Sequence, residues 1–195
     1  TSFIKKDGVL ILPTRTKVKY NYNQRIFKKN HPYFNDNYKF YENLNKKLKK
    51  KTSIKLFPNY YSNITKQVWI KKFGPRLNFL ENKKNTTMFN KFKVIVIDDI
   101  STPLCELMYI GVPFVIINDE LEWLKKSIIK KILKILKLKK LNILFDEPKK
   151  ASRFINKNYN KIESWWEKNK ANKIYKDLEK EIIPTNKTNF TNFKN

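Results

Sequence analysis

One strand–helix–strand pattern in the second half of the chain constrains the fold more than any other feature. Lys93 to Ile97 (KVIVI) is a short apolar run typical of a buried strand, and Pro113 to Ile117 (PFVII) is another. Between them, Ser101 or Thr102 can cap a helix that ends before Gly111. Strand, capped helix, glycine and strand predict a right-handed βαβ unit with parallel strands.

Strand-like and helix-like segments alternate along the rest of the chain. Strands are predicted over 8–13, 53–57 and 142–145, and helices over 38–51, 63–73, 121–138 and 149–183. The stretch 14–37 is predicted to be an irregular connection, and 184–195 a disordered tail. Residues 1–183 are therefore predicted to form one α/β domain. We expect a Rossmann-like, mostly parallel sheet with helices on both faces, followed by C-terminal helices.

The chain is strongly basic, with 43 Lys and Arg residues against 17 Asp and Glu and a formal net charge of +26. Such an excess fits a polyanionic partner, which could be nucleic acid, an anionic membrane or a phosphorylated ligand. Only four of these residues are Arg, the side chain that reads base edges and clamps phosphates with two hydrogen bonds. Two interpretations stay open: a compositional bias toward Lys and a selected polyanion-binding surface.

The predicted helix over 121–138 carries apolar residues along one face and many lysines opposite them. A basic amphipathic helix of this kind can lie on an anionic lipid surface. The alternative is a helix packed on the sheet with a solvated lysine face.

Cys105 is the only cysteine, which excludes an internal disulfide and favours a reducing compartment. We expect its side chain to pack against the sheet as a small apolar group. The sequence shows no Cys/His cluster with metal-ligand spacing, so no metal site is predicted.

The polar residues around the start of the central helix carry the candidate chemistry. Asp98 and Asp99 end the preceding strand, and Ser101 and Thr102 open the helix. A helix start at the carboxyl edge of a parallel sheet offers free N–H groups and a positive dipole end, which suit a diphosphate. Glu106 lies one turn after Thr102 and can accept hydrogen bonds from ribose hydroxyls. In the alternative, the hydroxyls only cap the helix and Glu106 is solvated.

Three more candidates lie in the connection after the first strand. Thr14 and Arg15 directly follow that strand, where the guanidinium of Arg15 is placed for a phosphate contact. His31 is the only histidine, and it is either an exposed loop residue or a weak candidate for a catalytic base.

The order of these residues resembles the donor-site motif of GT-B glycosyltransferases. A closer resemblance is to a family of transferases from bacterial surface-carbohydrate loci. The residues that carry it are Asp99, Ser101, Thr102, Glu106, Leu107, Pro113, Trp123, Asn156, Trp165 and Trp166. Two positions depart from the family pattern: Pro103 replaces a small or hydroxyl residue, and Lys55 stands where the family often has arginine.

The resemblance implies that Ser101 and Thr102 contact the donor diphosphate and that Glu106 contacts the ribose. It also implies a nucleotide-activated sugar as the donor substrate, with no separate cofactor. The acceptor would be a lipid-linked sugar or a surface glycan. We therefore expect a cytoplasmic protein, with the inner membrane face as a place of action.

The resemblance covers the C-terminal, donor-binding half of a GT-B enzyme. The N-terminal acceptor half is then expected from another domain or from a partner subunit. Two other functions stay open: a basic nucleic-acid-binding module without catalysis, and a non-catalytic remnant that pairs with another subunit.

Overall fold

A six-stranded parallel sheet organises the computed structural model, which describes residues 6–13, 32–56, 62–80, 85–98, 102–117 and 141–182. Its strands are β1 (Val9–Leu12), β2 (Thr52–Ile54), β3 (Asn78–Phe79), β4 (Val94–Ile97), β5 (Phe114–Ile117) and β6 (Leu144–Phe145). Their order is β3-β2-β1-β4-β5-β6, and every neighbouring pair is parallel. This is the strand order of a Rossmann fold, so the predicted fold class is confirmed.

The described helices connect or follow these strands. They are α1 (Pro32–Asn43), α2 (Lys46–Lys50), α3 (Ser62–Phe73), α4 (Asn85–Phe89), α5 (Thr102–Ile110), α6 (Pro148–Asn158), a 3₁₀ turn (Tyr159–Lys161), α7 (Ile162–Ala171) and α8 (Lys173–Ile182). No helix in the described ranges is both long and apolar enough to cross a membrane.

Helices cover both faces of the sheet, which explains why its central strands are continuous apolar runs. On one face, Val9, Ile11 and the residues in register with them pack against α1, α3 and α6. On the other face, Leu10 and Leu12 and their neighbours pack against α4, α5, α7 and α8. Every residue of β1, β4 and β5 is buried, because successive side chains point to opposite covered faces.

Two predicted helices are broken in the structure, and both predictions are wrong in this respect. The helix predicted over 38–51 is two helices, since Asn45 caps α2 by accepting a hydrogen bond from the Leu48 N–H at 2.8 Å. The helix predicted over 149–183 is interrupted after α6 and again at Asn172, whose backbone is extended. The helix predicted over 121–138 and the predicted tail lie outside the described residues.

The start of β1 is held by the C-terminal helices. The Tyr159 hydroxyl accepts a hydrogen bond from the Gly8 N–H and donates one to Asp7 Oδ1 at 2.7 Å. Hydrogen bonds from Lys51 and Tyr159 lower the pKa of Asp7 to about 2. Gly8 has a φ of +86°, and a Cβ there would collide with the Lys51 carbonyl oxygen, so both its conformation and its surroundings require glycine.

We expect Gly8→Ala to lower the free energy of unfolding by about 3 kcal/mol or more, from backbone strain plus the collision. Gly111→Ala is the matched control, because Gly111 has a φ of +74° but an added Cβ there would meet no atom within 4 Å apart from its chain neighbours. It should cost only about 1–2 kcal/mol, the penalty of a left-handed backbone. Denaturant unfolding of both variants measures the difference, and equal losses would contradict this account of Gly8.

Candidate functional site

The strand order defines where a ligand would meet this sheet. From β1 the chain moves outward to β2 and β3, and it then returns to β4 on the other side of β1. The connections on the two sides of β1 therefore cover opposite faces, and parallel sheets with such a change of side bind ligands outside the carboxyl ends of the two strands concerned, here β1 and β4. Pro13 follows β1 at this edge, and Asp98 follows β4.

Helix α5 starts at this edge and is fixed by its apolar side. Leu104, Leu107 and Met108 are buried in the core on one face of the sheet. The helix begins at Thr102, as predicted, and Thr102 is exposed. Its first N–H groups have no partner within the helix and carry the positive end of its dipole. This end of α5 can therefore receive an anion.

Glu106 lies one turn into α5 and is only 8% exposed. This burial excludes the alternative in which Glu106 is a solvated surface residue. The neighbouring Cys105 is partly buried, and desolvation is the main reason that the pKa of its thiol is raised. The Glu106 carboxylate raises that pKa further. Cys105 is thus held as a neutral thiol, which is the less nucleophilic form.

Lys55 is a buried cation at the same edge. It directly follows β2, and its backbone N–H donates to the Ile11 carbonyl at 3.0 Å. The residue is 6% exposed. Burial lowers the pKa of its ammonium group, while the Glu106 carboxylate raises it. A lysine is almost never this buried unless a negative group compensates its charge. The Glu106 carboxylate on α5 is one such negative group, since its charge favours the protonated form of Lys55.

Asn37 and Asp98 form a buried polar pair beside the end of β4. Asn37 Nδ2 donates to Asp98 Oδ2 at 2.7 Å, and the two residues are 0% and 2% exposed. Asn37 belongs to α1, although the sequence pattern predicted an irregular connection up to that residue. The pair fixes α1 to the carboxyl end of β4. Within the described ranges, no three Cys, His, Asp or Glu residues are grouped as metal ligands.

Several predicted site residues lie outside the described part of the chain. They are Thr14, Arg15, His31, Asp99 and Ser101. Their roles stay predictions. Thr102 and Glu106 are the predicted site residues that the structure describes, and both lie on α5.

Two other positions of the resemblance have structural roles. Asn156 of α6 bridges the break between α1 and α2, where its side chain donates to the Asn43 carbonyl at 2.9 Å and accepts from the Asn45 N–H at 3.0 Å. Trp166 is buried in the core, and its indole N–H donates to the Gly111 carbonyl at 2.8 Å. Neither contact involves the residues at the carboxyl edge.

A second carboxylate should not be tolerated in the buried pair of Asn37 and Asp98. We expect Asn37→Asp to lower the free energy of unfolding at pH 7 by about 3 kcal/mol or more, since two buried carboxylates would face each other. The repulsion raises the folded-state pKa of one carboxyl above its unfolded value. The loss should therefore shrink as pH falls toward about 4 and that group takes up a proton.

Asn43→Asp is the matched control, because Asn43 is an exposed residue of the same helix and the charge change is identical. Its cost should stay below about 1 kcal/mol. Urea unfolding at pH 7 and at lower pH measures both variants. A loss that is equal for the two variants, or that does not depend on pH, would contradict the buried contact.

Comparison with protein families gives the chain an assignment. Residues 4–191 match the model of a family described as LIC12162 family transferase. Comparisons with curated proteins and with solved structures gave no match. The match includes every strand of the sheet, the predicted site residues Thr102 and Glu106 of α5, and the buried Lys55. The chain therefore belongs to the LIC12162 family of transferases.

Proposed function

We propose that this chain is the donor-binding domain of a GT-B-type glycosyltransferase that uses a nucleotide-activated sugar in cell-surface polysaccharide synthesis. The observation that carries the proposal is the position of α5. It starts with the exposed Thr102 at the carboxyl edge of the sheet after β4, and the buried Glu106 lies one turn further along the helix. Membership of a transferase family supports a group-transfer reaction over simple binding.

Each part of this arrangement has a role in the proposed reaction. The first N–H groups of α5, with the hydroxyls of Ser101 and Thr102, bind the donor diphosphate. Because negative charge grows on that diphosphate as it leaves, donors fixed in place stabilise the transition state more than the bound donor. Glu106 accepts hydrogen bonds from the ribose. Thr14, Arg15 and Asp99 complete the donor site from the adjoining connections.

In the transfer step, an acceptor hydroxyl oxygen attacks the anomeric carbon of the donor sugar. A new carbon–oxygen bond forms, and the bond between that carbon and the diphosphate breaks with its electron pair leaving on the diphosphate. The hydroxyl proton passes to a base on the acceptor side of the cleft. His31 is the candidate that this chain itself offers, and a second Rossmann-like half is the other source.

The proposal includes partners. The second Rossmann-like half would come from another domain or from a partner subunit, and the acceptor would be a lipid-linked sugar or a surface glycan. An acceptor of this kind places the reaction at the inner face of the cell membrane. The positive charge of the chain is in keeping with a negatively charged membrane surface and a phosphorylated donor.

We expect nucleoside diphosphates to bind, and the matching nucleosides to bind much more weakly because they lack the group that α5 receives. Replacing both hydroxyls, in Ser101→Ala/Thr102→Ala, should weaken binding about tenfold or more. Isothermal titration calorimetry with the diphosphates and nucleosides of uridine, guanosine and cytidine measures both effects. Thr87→Ala is the control, since Thr87 is an exposed threonine of α4.

Two results would count against the proposal. One is diphosphate binding that survives both the hydroxyl double variant and Glu106→Ala. The other is binding to DNA or RNA that weakens steeply with salt, together with no preference for sugar nucleotides. That result would favour a nucleic-acid-binding module. Thermal unfolding of each variant shows whether it is folded.

A further inference from the structure

Lys55 is a buried lysine at the carboxyl edge of the sheet. It directly follows β2, a strand of only three residues. Removing an ammonium group from water is costly unless negative charge or hydrogen bonds replace the lost hydration. Lys55 is nevertheless 6% exposed, at the carboxyl edge where ligands of such sheets bind.

Glu106 acts on Lys55 from the opposite side of β1. Lys55 follows β2 and Glu106 belongs to α5, which follows β4, so the two residues belong to segments that leave the two strands flanking β1. Both are more than nine-tenths buried. Since charges interact more strongly where water is excluded, the carboxylate favours the protonated form of the lysine.

We propose that Lys55 binds a phosphate of the ligand and that Glu106 is the positioning residue that keeps the Lys55 ammonium charged and in place for it. The inference rests on the proposed function and deepens it. It gives Glu106 a role that does not require a ribose. It also makes the site selective for ligands with a multiply charged phosphate group, since a neutral nucleoside offers Lys55 nothing.

A phosphate is a suitable partner for this buried lysine. It carries more negative charge than the single carboxylate of Glu106 and has several acceptor oxygens. Lysine is a compact point charge that can approach a phosphate from one side, while the N–H groups of α5 approach from another. These two donors belong to segments that follow β2 and β4, the two strands on either side of β1.

Other titratable groups near this edge must be accounted for in a test that uses pH. Among the described residues they are Asp36 on α1, Asp98 after β4 and Cys105 on α5. All three are unchanged in the variants below. Comparing each variant with the wild type at the same pH therefore removes the contribution of Asp36 and Asp98, and it also removes the ionisation of the ligand. Because Glu106 raises the pKa of the Cys105 thiol, the Glu106 comparisons are repeated with Cys105→Ser in every protein, which removes that thiol.

Inorganic pyrophosphate is the probe, because it has no ribose and no base. Titration in about 150 mM salt screens charges beyond about 8 Å, which limits the effect of the many surface lysines. We expect Lys55→Gln to weaken pyrophosphate binding about tenfold or more. Lys47→Gln makes the same charge change at an exposed residue of α2 and should leave binding unchanged.

The positioning role of Glu106 is tested separately. Glu106→Gln removes the charge that favours protonated Lys55, so pyrophosphate binding should fall relative to the wild type, and more at pH 9 than at pH 7. Lys55→Arg/Glu106→Gln should regain binding, because a guanidinium stays charged at both pH values without help. A role of Glu106 in folding alone would produce neither the pH dependence nor the rescue.

The outcomes separate this inference from the proposed function. If nucleoside diphosphates bind the wild type and Lys55→Gln binds pyrophosphate as tightly as Lys47→Gln does, the inference is wrong and the proposed function stands. If the wild type binds neither nucleoside diphosphates nor pyrophosphate, both are wrong. Failure of the arginine double variant to regain binding, with both variants folded by thermal unfolding, would overturn the role of Glu106.

Discussion

The parallel pairing of β1 with β4 is the interaction on which the rest of the structure depends. Residues 9–12 align with residues 94–97, so strands from the two halves of the chain end side by side. That alignment brings Asp98 within reach of α1, and it brings α5 to the same edge as the residue that follows β2. The candidate site is therefore made of segments that are distant in sequence, and none of them forms it alone.

The sequence predicted the elements that carry a strong local signal. The central strands are runs of β-branched and other apolar residues between turn residues, and α5 has hydroxyls at its start and a glycine after its end. β3 was missed because two residues show no periodicity. α4, with five residues, was missed for the same reason. The single helix predicted over 38–51 failed because an apolar stripe does not reveal that Asn45 starts a new cap.

The candidate site was predictable only in the part that lies within one helix. Thr102 and Glu106 follow from helical spacing, but the pair of Asn37 and Asp98 joins residues 61 positions apart. Lys55 is one of 39 lysines, the 43 Lys and Arg less four Arg, and only its place in the family resemblance, where arginine is frequent, distinguished it. Its burial comes from the strand order, which the sequence did not specify. Asn37, Asp98 and Lys55 are therefore candidates for the site because of the residues that the fold brings near them, and not because of their sequence neighbours.

The strand order also bears on how the chain is made. β1 leaves the ribosome before β4, so one of its edges stays unpaired until β4 has been synthesised. An apolar strand with an open edge can pair with other chains, so β1 is most prone to aggregation during the interval before β4 is available. The Tyr159 contact to Gly8 then closes on β1 only after every strand of the sheet has been synthesised.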